Sequence, residues 1–333
     1  MGDLHRLDRG GALPLPAAVT AYLATLSGPE QAGTRRAYRC TLRALITEFA
    51  TVPETSKPKA FAVGELDAEE NVERFTGWFG QRWNQRAPAT FNRNLDALRS
   101  AVTYWRDQDW LTSDPTRRLR RRGRAPDRTR ALSRADIDAL FGLPDLPLRE
   151  RVLFRLLYET AARSGEVLAL NVADLDLRNR RAKVRRKGSA IDIIVWQTGT
   201  ARLLPRLLTG RTKGPVFLTD RKARVQLATA DLDPATGRAR LSYRRAEEIF
   251  NQLTRPLAHP GLTNPNELAA TNGWTLHQIR HSALTHAAET GANTSTLLSY
   301  SGHTSIASLA RYARVSPDAL ARWQAERDPD RRH

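Results

Sequence analysis

His277 and Arg280 stand three residues apart in the stretch WTLHQIRHSALTHAAETGAN, whose apolar spacing predicts a helix beginning near them. Side chains three apart on a helix project over the same patch of surface. A histidine and an arginine so placed suit a phosphate group, because one can hold or pass a proton while the other clamps oxygen. The spacing alone is equally that of an ordinary charged helix face. His281 follows His277 by four residues, the interval of a paired metal site, and His286 lies further along. Position 278 is Gln where a zinc protease has Glu, and no acidic or thiol ligand stands close in sequence, so no metal is expected. His281 and His286 are read as residues that orient neighbours or complete the packing.

Three other stretches hold groups of the same kind. TAARSGEVLALNVADLDL places Arg163 three residues before Glu166, and SGHTSIASLARYARV places His303 after Gly302 and nine residues before Tyr312, one of seven tyrosines. Between them, AKVRRKG and AIDIIVW are short and β-prone on either side of Gly188, which predicts a hairpin with Lys183 on one strand and Lys187 at the turn.

These residues must be positioned by a chain of 333 residues, long enough for two domains with sizeable cores. From Pro14 to about Trp110 the pattern is helical, in four amphipathic segments separated by Gly, Pro or Ser, so residues 14–114 are expected to form a small all-helical domain after a disordered lead-in at 1–13. A catalytic domain is expected over 133–326, followed by a tail at 327–333. It opens on Ser133 with Asp136 three positions on, a helix-start signature. Helices, the hairpin, the strand candidate GPVFLT, a surface excursion over DRKARVQLATADLDPATGRARL and further helices then follow. No internal repeat is present.

The formal net charge is +18, and most of the excess is arginine, the side chain best shaped for phosphate. Nucleic acid is the expected partner. No long apolar run could span a membrane and no export leader is evident, so a soluble, cytoplasmic, nucleoid-associated protein is expected. Nine arginines lie between Arg117 and Arg134, and residues 115–132 read as an Arg-rich linker. Such a run is either a solvated tether or a segment lying on a phosphate backbone, with Arg117, Arg118, Arg120, Arg121, Arg122 and Arg124 as candidate DNA contacts that carry no sequence information. The single cysteine, Cys40, excludes an internal disulfide and reads as an inert helix residue. Trp78, Phe79 and Trp83 fall at helical spacing and are read as core or domain-face residues.

In combination, the stretches around Arg163, His277 to Arg280, and His303 to Tyr312 resemble the three signatures of the tyrosine recombinases, the phage-integrase, Cre and Xer family, in the family's order and intervals. The resemblance extends to the layout. It implies a mainly α fold with a small β-sheet: an N-terminal four-helix core-binding (SAM-like) domain and a mixed α+β catalytic domain. Carried over residue by residue, it implies that Arg163 and Arg280 hold the non-bridging oxygens of the scissile phosphate and that Lys187 protonates the leaving 5′ oxygen. His277 would act as general acid or base near the nucleophile, His303 would hydrogen-bond the phosphate, Tyr312 would attack it, and Glu166 would brace the site. The partner implied is double-stranded DNA, bound by a homotetramer on paired sites that is a monomer or weak dimer when free. No cofactor, metal or ATP is implied.

The chemistry is consistent with that assignment. A phosphodiester under attack gathers charge on its non-bridging oxygens, where fixed donors help most. A tyrosine hydroxyl, titrating near 10, needs a base or a cationic field to attack at neutral pH. Departures from the family pattern are Ala161 where Gly is common, Gly165 in place of a small polar residue, Ser301 where Leu usually precedes the Gly-His pair, and a missing second lysine after the hairpin glycine, which leaves Lys183 as a rival to Lys187. The chain is expected to begin directly with the helical domain, with no room for an extra arm-binding module. A catalytically silent DNA-binding or architectural protein and a type IB topoisomerase are the alternative readings. The terminal helix around Trp323 would dock on a neighbouring protomer or cap its own chain.

Overall fold

The computed structural model describes residues 13–28, 31–50, 60–123, 131–186, 190–302, 306–309, 320–321 and 323–325. It is mainly α with two small antiparallel sheets, and the chain divides into two compact units, residues 1–127 and 128–333. Of the expected lead-in at 1–13, residues 1–12 lie outside the described residues, as does the expected tail at 327–333.

The first unit is built from α1 (Leu15–Thr25), α2 (Ala32–Ala50), α3 (Glu69–Trp83) and α4 (Pro88–Asp107). Each start has a local cause. Pro88 occupies the first turn of α4, where its missing N–H costs nothing, and Glu69 and Glu70 face the positive end of α3. One apolar core unites them, and Trp78, Phe79 and Trp83 belong to it, with Trp78 and Trp83 edge to face at 5.1 Å. Trp105 Nε1 donates to the Ala18 carbonyl at 3.1 Å, so even the buried indole is satisfied. Cys40 lies on α2 and is exposed.

Residues up to Gly123 pack on this unit. Leu119 is buried in its core, Arg117 and Arg118 pair with Glu69, Arg121 pairs with Asp96 at 2.9 Å, and Arg122 lies over the Phe91 ring at 4.0 Å. Arg120 is exposed and makes no ion pair among the described residues, while Arg124 lies outside them.

The second unit begins with α5 (Arg134–Gly142), capped by Ser133, whose Oγ accepts from the Asp136 N–H at 3.1 Å while the Asp136 carboxylate accepts from the Ser133 N–H at 2.9 Å. Helix α6 (Leu148–Thr160) is its buried centre, and α7 (Ser164–Leu168) follows a sharp turn. Strands β1 (Leu175–Asp176), β2 (Arg181–Arg185) and β3 (Ile191–Val195) form an antiparallel sheet in the order β1-β2-β3. Arg185 pairs with Ile191, so β2 and β3 are the expected hairpin, whose tip at 187–189 lies outside the described residues.

After α8 (Thr198–Leu208), β4 (Leu218–Lys222) pairs with β5 (Arg238–Arg240). The strand expected over GPVFLT therefore starts later, because Val216 and Phe217 are buried outside the ladder. The segment read as a surface excursion returns to the fold as β5, held by the Asp233 cluster with Thr236 and by Arg240, whose guanidinium donates to the carbonyls of Leu168 and Leu170. Helices α9 (Tyr243–Ala258), α10 (Pro265–Ala270), α11 (Leu276–Glu289) and α12 (Thr294–Ser301) complete the unit. Tyr300 on α12 donates to the carbonyls of Tyr158 and Glu159 at 2.9 and 3.1 Å, which fastens α12 to the end of α6. Among the described residues no helix is long and apolar enough to cross a membrane.

Candidate active site

The turn between α6 and α7 sets the geometry. Ala161 ends α6 in the left-handed region, with φ 47° and ψ 19°, and is fully buried. Glycine normally fills such a position because a Cβ clashes there. The departure at 161 is thus a strained alanine in a glycine conformation.

Two residues later Arg163 caps α7. Its N–H donates to Glu166 Oε2 at 3.0 Å and its Nη1 to Glu166 Oε1 at 2.7 Å, so the carboxylate holds both the backbone and the side chain of one residue. The Arg163 side chain remains 44% exposed while that of Glu166 is 8% exposed. The acid is a buried brace, and the guanidinium keeps an open face for a ligand.

Arg280 comes from α11, which starts on a reciprocal cap between Thr275 and Gln278. It sits in the buried stripe formed by Leu276, Ile279, Ala283 and Leu284 and is 4% exposed. A charge there is tolerable only if its donors are used. Nη1 donates to the Ala161 carbonyl and Nη2 to the Ser301 carbonyl at 2.7 Å. His277, on the first turn of the same helix, is exposed.

Arg186 completes the arrangement, and sequence reasoning missed it. Its Nη1 donates to the Ser301 carbonyl at 2.8 Å and lies 3.9 Å from Glu166 Oε2, and its Nε is ion-paired with Asp192 Oδ2 at 2.6 Å. The side chain is 8% exposed. The contacts close a ring: Arg163, Glu166, Arg186, the Ser301 carbonyl, Arg280, and the Ala161 carbonyl two residues before Arg163. A signal for Arg186 did exist. Ala182 and Val184 are the buried positions of β2, and period-2 alternation carries that inward face on to residue 186. Lys183 is exposed, on the opposite face from Arg186.

Ser301 is fully buried and ends α12, and Gly302 follows in the left-handed region at φ 58°. A Cβ at 302 would fall 1.2 Å from Arg186 Nη1, so a larger residue there would displace that guanidinium. The ring therefore joins α7, α11, β2 and α12 around three guanidinium groups and one carboxylate. That set can bind the oxygens of a phosphodiester, a monoanion that gathers a second negative charge as an attacking oxygen bonds to phosphorus.

Lys187, His303 and Tyr312 lie outside the described residues. His286 is buried with Nδ1 2.8 Å from the Tyr158 hydroxyl, and His281 is buried on the same helix. Burial and the nearby Arg134 push His286 below its ordinary value, and burial raises the hydroxyls of Tyr158 and Tyr300. Among the described residues no group of three or more His, Cys, Asp or Glu could hold a metal ion.

Residues 130–318 match the model of the family described as the phage integrase family. The chain is 29% identical over 329 residues to the tyrosine recombinase XerC of Mycobacterium sp. (strain JLS), covering 93% of this chain and 96% of that one. It is 26% identical over 248 residues to XerC of Myxococcus xanthus, with 73% and 77% covered. Among solved structures it resembles the lambda integrase bound to DNA, with a TM-score of 0.62 at 13% identity and 91% and 96% coverage. It also resembles the XerH site-specific recombinase bound to its difH substrate, with a TM-score of 0.58 at 14% identity and 98% and 99% coverage.

Proposed function

The chain belongs to the phage integrase family, and from that premise we propose that it is a site-specific DNA recombinase that cuts and rejoins duplex DNA through a 3′-phosphotyrosine intermediate. The observation that carries the reading is the closed ring, which brings Arg163 and Arg280, from separate signatures, onto one buried backbone frame with Glu166 as its acid.

In the proposed reaction the Tyr312 oxygen attacks phosphorus and the bond to the 5′ oxygen breaks. The phenolic proton passes to His277, and the leaving oxygen takes a proton from Lys187. Arg163, Arg280 and His303 hold the non-bridging oxygens, where fixed donors stabilise the gathering charge without reorganising. Lys183, exposed on the face of β2 opposite Arg186, is the poorer candidate for the acid. Because the tyrosyl ester is comparable in energy to the bond broken, a second DNA hydroxyl reverses the step, and neither ATP nor a metal ion is needed. Four protomers on two paired sites would exchange strands, in the cytoplasm and on the chromosome. The XerC relative of Mycobacterium sp. (strain JLS) carries the tyrosine recombinase name and matches nearly the whole of this chain's length, which supports recombination as the outcome.

The test is capture from a pool of nicked duplexes with randomised sequence. The wild-type chain should form a covalent protein–DNA adduct from which a consensus site is sequenced, and Tyr312→Phe should bind that site without forming any adduct. An adduct undiminished in Tyr312→Phe removes the nucleophile assignment.

A further inference from the structure

We propose that Arg186 is a positioning residue of this site: it ties the hairpin that carries Lys187 to the end of α12 that leads into His303. The inference rests on the function proposed above, in which Lys187 protonates the leaving oxygen.

The two ends of the tie are adjacent in sequence to two of the reacting residues. The Arg186 N–H donates to the Ala190 carbonyl at 2.8 Å, the rung closing the hairpin stem, and Lys187 is the next residue. At the other end its guanidinium occupies the space over Gly302 and binds the Ser301 carbonyl, and His303 is the next residue. That carbonyl also accepts from Arg280 at 2.7 Å, so the hairpin stem, α12 and a phosphate arginine meet at one oxygen. Burying a guanidinium is costly unless it is paired. Asp192, across the hairpin, and Glu166, the brace of Arg163, supply the charge at 2.6 and 3.9 Å. Only a planar fork reaches the carbonyl and Asp192 together, which a lysine ammonium on a flexible stem cannot do. A Cβ at 302 would displace this guanidinium, so the glycine and the arginine are matched to each other.

The experiment uses the nicked duplex recovered from wild-type adducts, made with either the ordinary 5′ oxygen or a bridging 5′ sulfur at the scissile phosphate. A sulfur leaving group departs as thiolate and needs no general acid. Arg186→Ala should cleave the oxygen substrate roughly 10- to 100-fold more slowly, a part of the ~10²–10⁴ that a positioned acid contributes. With the sulfur substrate it should come within about threefold of wild type, as Lys187→Ala should. Arg186→Lys, which keeps one donor, should show the same pattern more weakly and decides the matter if Arg186→Ala does not fold. Wild-type rates on the oxygen substrate for both variants overturn the proposal. So does a loss that sulfur fails to restore, which would place Arg186 Nη2, without a hydrogen-bond partner among the described residues, on the phosphate itself. If the wild-type chain forms no adduct, the proposed function fails instead. Faster amide exchange at residues 183–186 and 190–192 in Arg186→Ala then still tests the tie, and unchanged exchange overturns it.

Discussion

Arg280 donates to the carbonyl of Ala161, the residue that breaks α6 at positive φ, so the kink before Arg163 and the second arginine of the site are parts of one contact. The left-handed turn brings that carbonyl within reach of α11, and α11 in turn holds the turn in place.

Removing the guanidinium should therefore cost stability as well as activity. Arg280→Ala leaves the Ala161 carbonyl without this donor, while the Ser301 carbonyl keeps Arg186, and at ~1–3 kcal/mol for one unsatisfied buried group the loss should be about 1–3 kcal/mol. Urea unfolding of the full chain checks it. An unchanged midpoint would mean that the ring contributes nothing to the fold.

Ala161 itself offers a second test. Changing it to Gly relieves a left-handed strain of ~1–2 kcal/mol but removes a buried methyl worth ~0.8 kcal/mol and loosens the unfolded chain by ~0.4–1 kcal/mol. The midpoint for Ala161→Gly should accordingly move by less than about 1 kcal/mol. Ala161→Val puts a β-branched side chain at φ 47° in a fully buried position and should cost about 3 kcal/mol or more. Equal effects of the two substitutions would show that the backbone conformation is not what limits this position.

The helices were legible because their causes are local. The Ser133 and Asp136 cap and the apolar spacing of α1 to α4 are properties of short windows, and so is the Arg185 to Ile191 hairpin. The β4 and β5 pair was not legible, since β5 depends on Asp233, Thr236 and Arg240 anchoring a long loop to residues far away in the chain. At the site, Arg163 and Arg280 stood out by their intervals, while Arg186 was hidden in the run RRK, where composition says only that the stretch is basic. Its role comes from strand parity and from a carbonyl 115 residues away.

The same distinction applies to the arginine run. Arg117 and Arg118 are paired with Glu69, and Arg120 is exposed without an ion pair among the described residues. Arg120→Ala should reduce the slope of log K against log salt for duplex DNA by about 0.9, the value for one fewer phosphate neutralised. Arg118→Ala should change the slope less, because its charge is partly offset by Glu69. Equal slopes for both variants and wild type would remove this segment from the DNA interface.

Acid should weaken the second unit through His286. Burial and Arg134 lower its affinity for protons in the folded chain, with Glu289 opposing. The unfolded chain therefore takes up the proton first as pH falls below the ordinary value of 6.5, and stability present above that pH is lost on acidification. Urea midpoints should fall between pH 7.5 and 5.5 by a larger amount for wild type than for His286→Gln. Parallel declines would assign the acid sensitivity to other groups.

The acceptor that Arg186 and Arg280 share belongs to the peptide unit of Ser301 and not to its side chain. Residue 301 can consequently change identity over evolutionary time without altering the hub, provided that α12 still ends there. The constraint passes instead to position 302, where a side chain would displace the Arg186 guanidinium and would sit in a left-handed conformation that strains L-residues. A site of this kind is protected from drift at its centre and vulnerable at its neighbour.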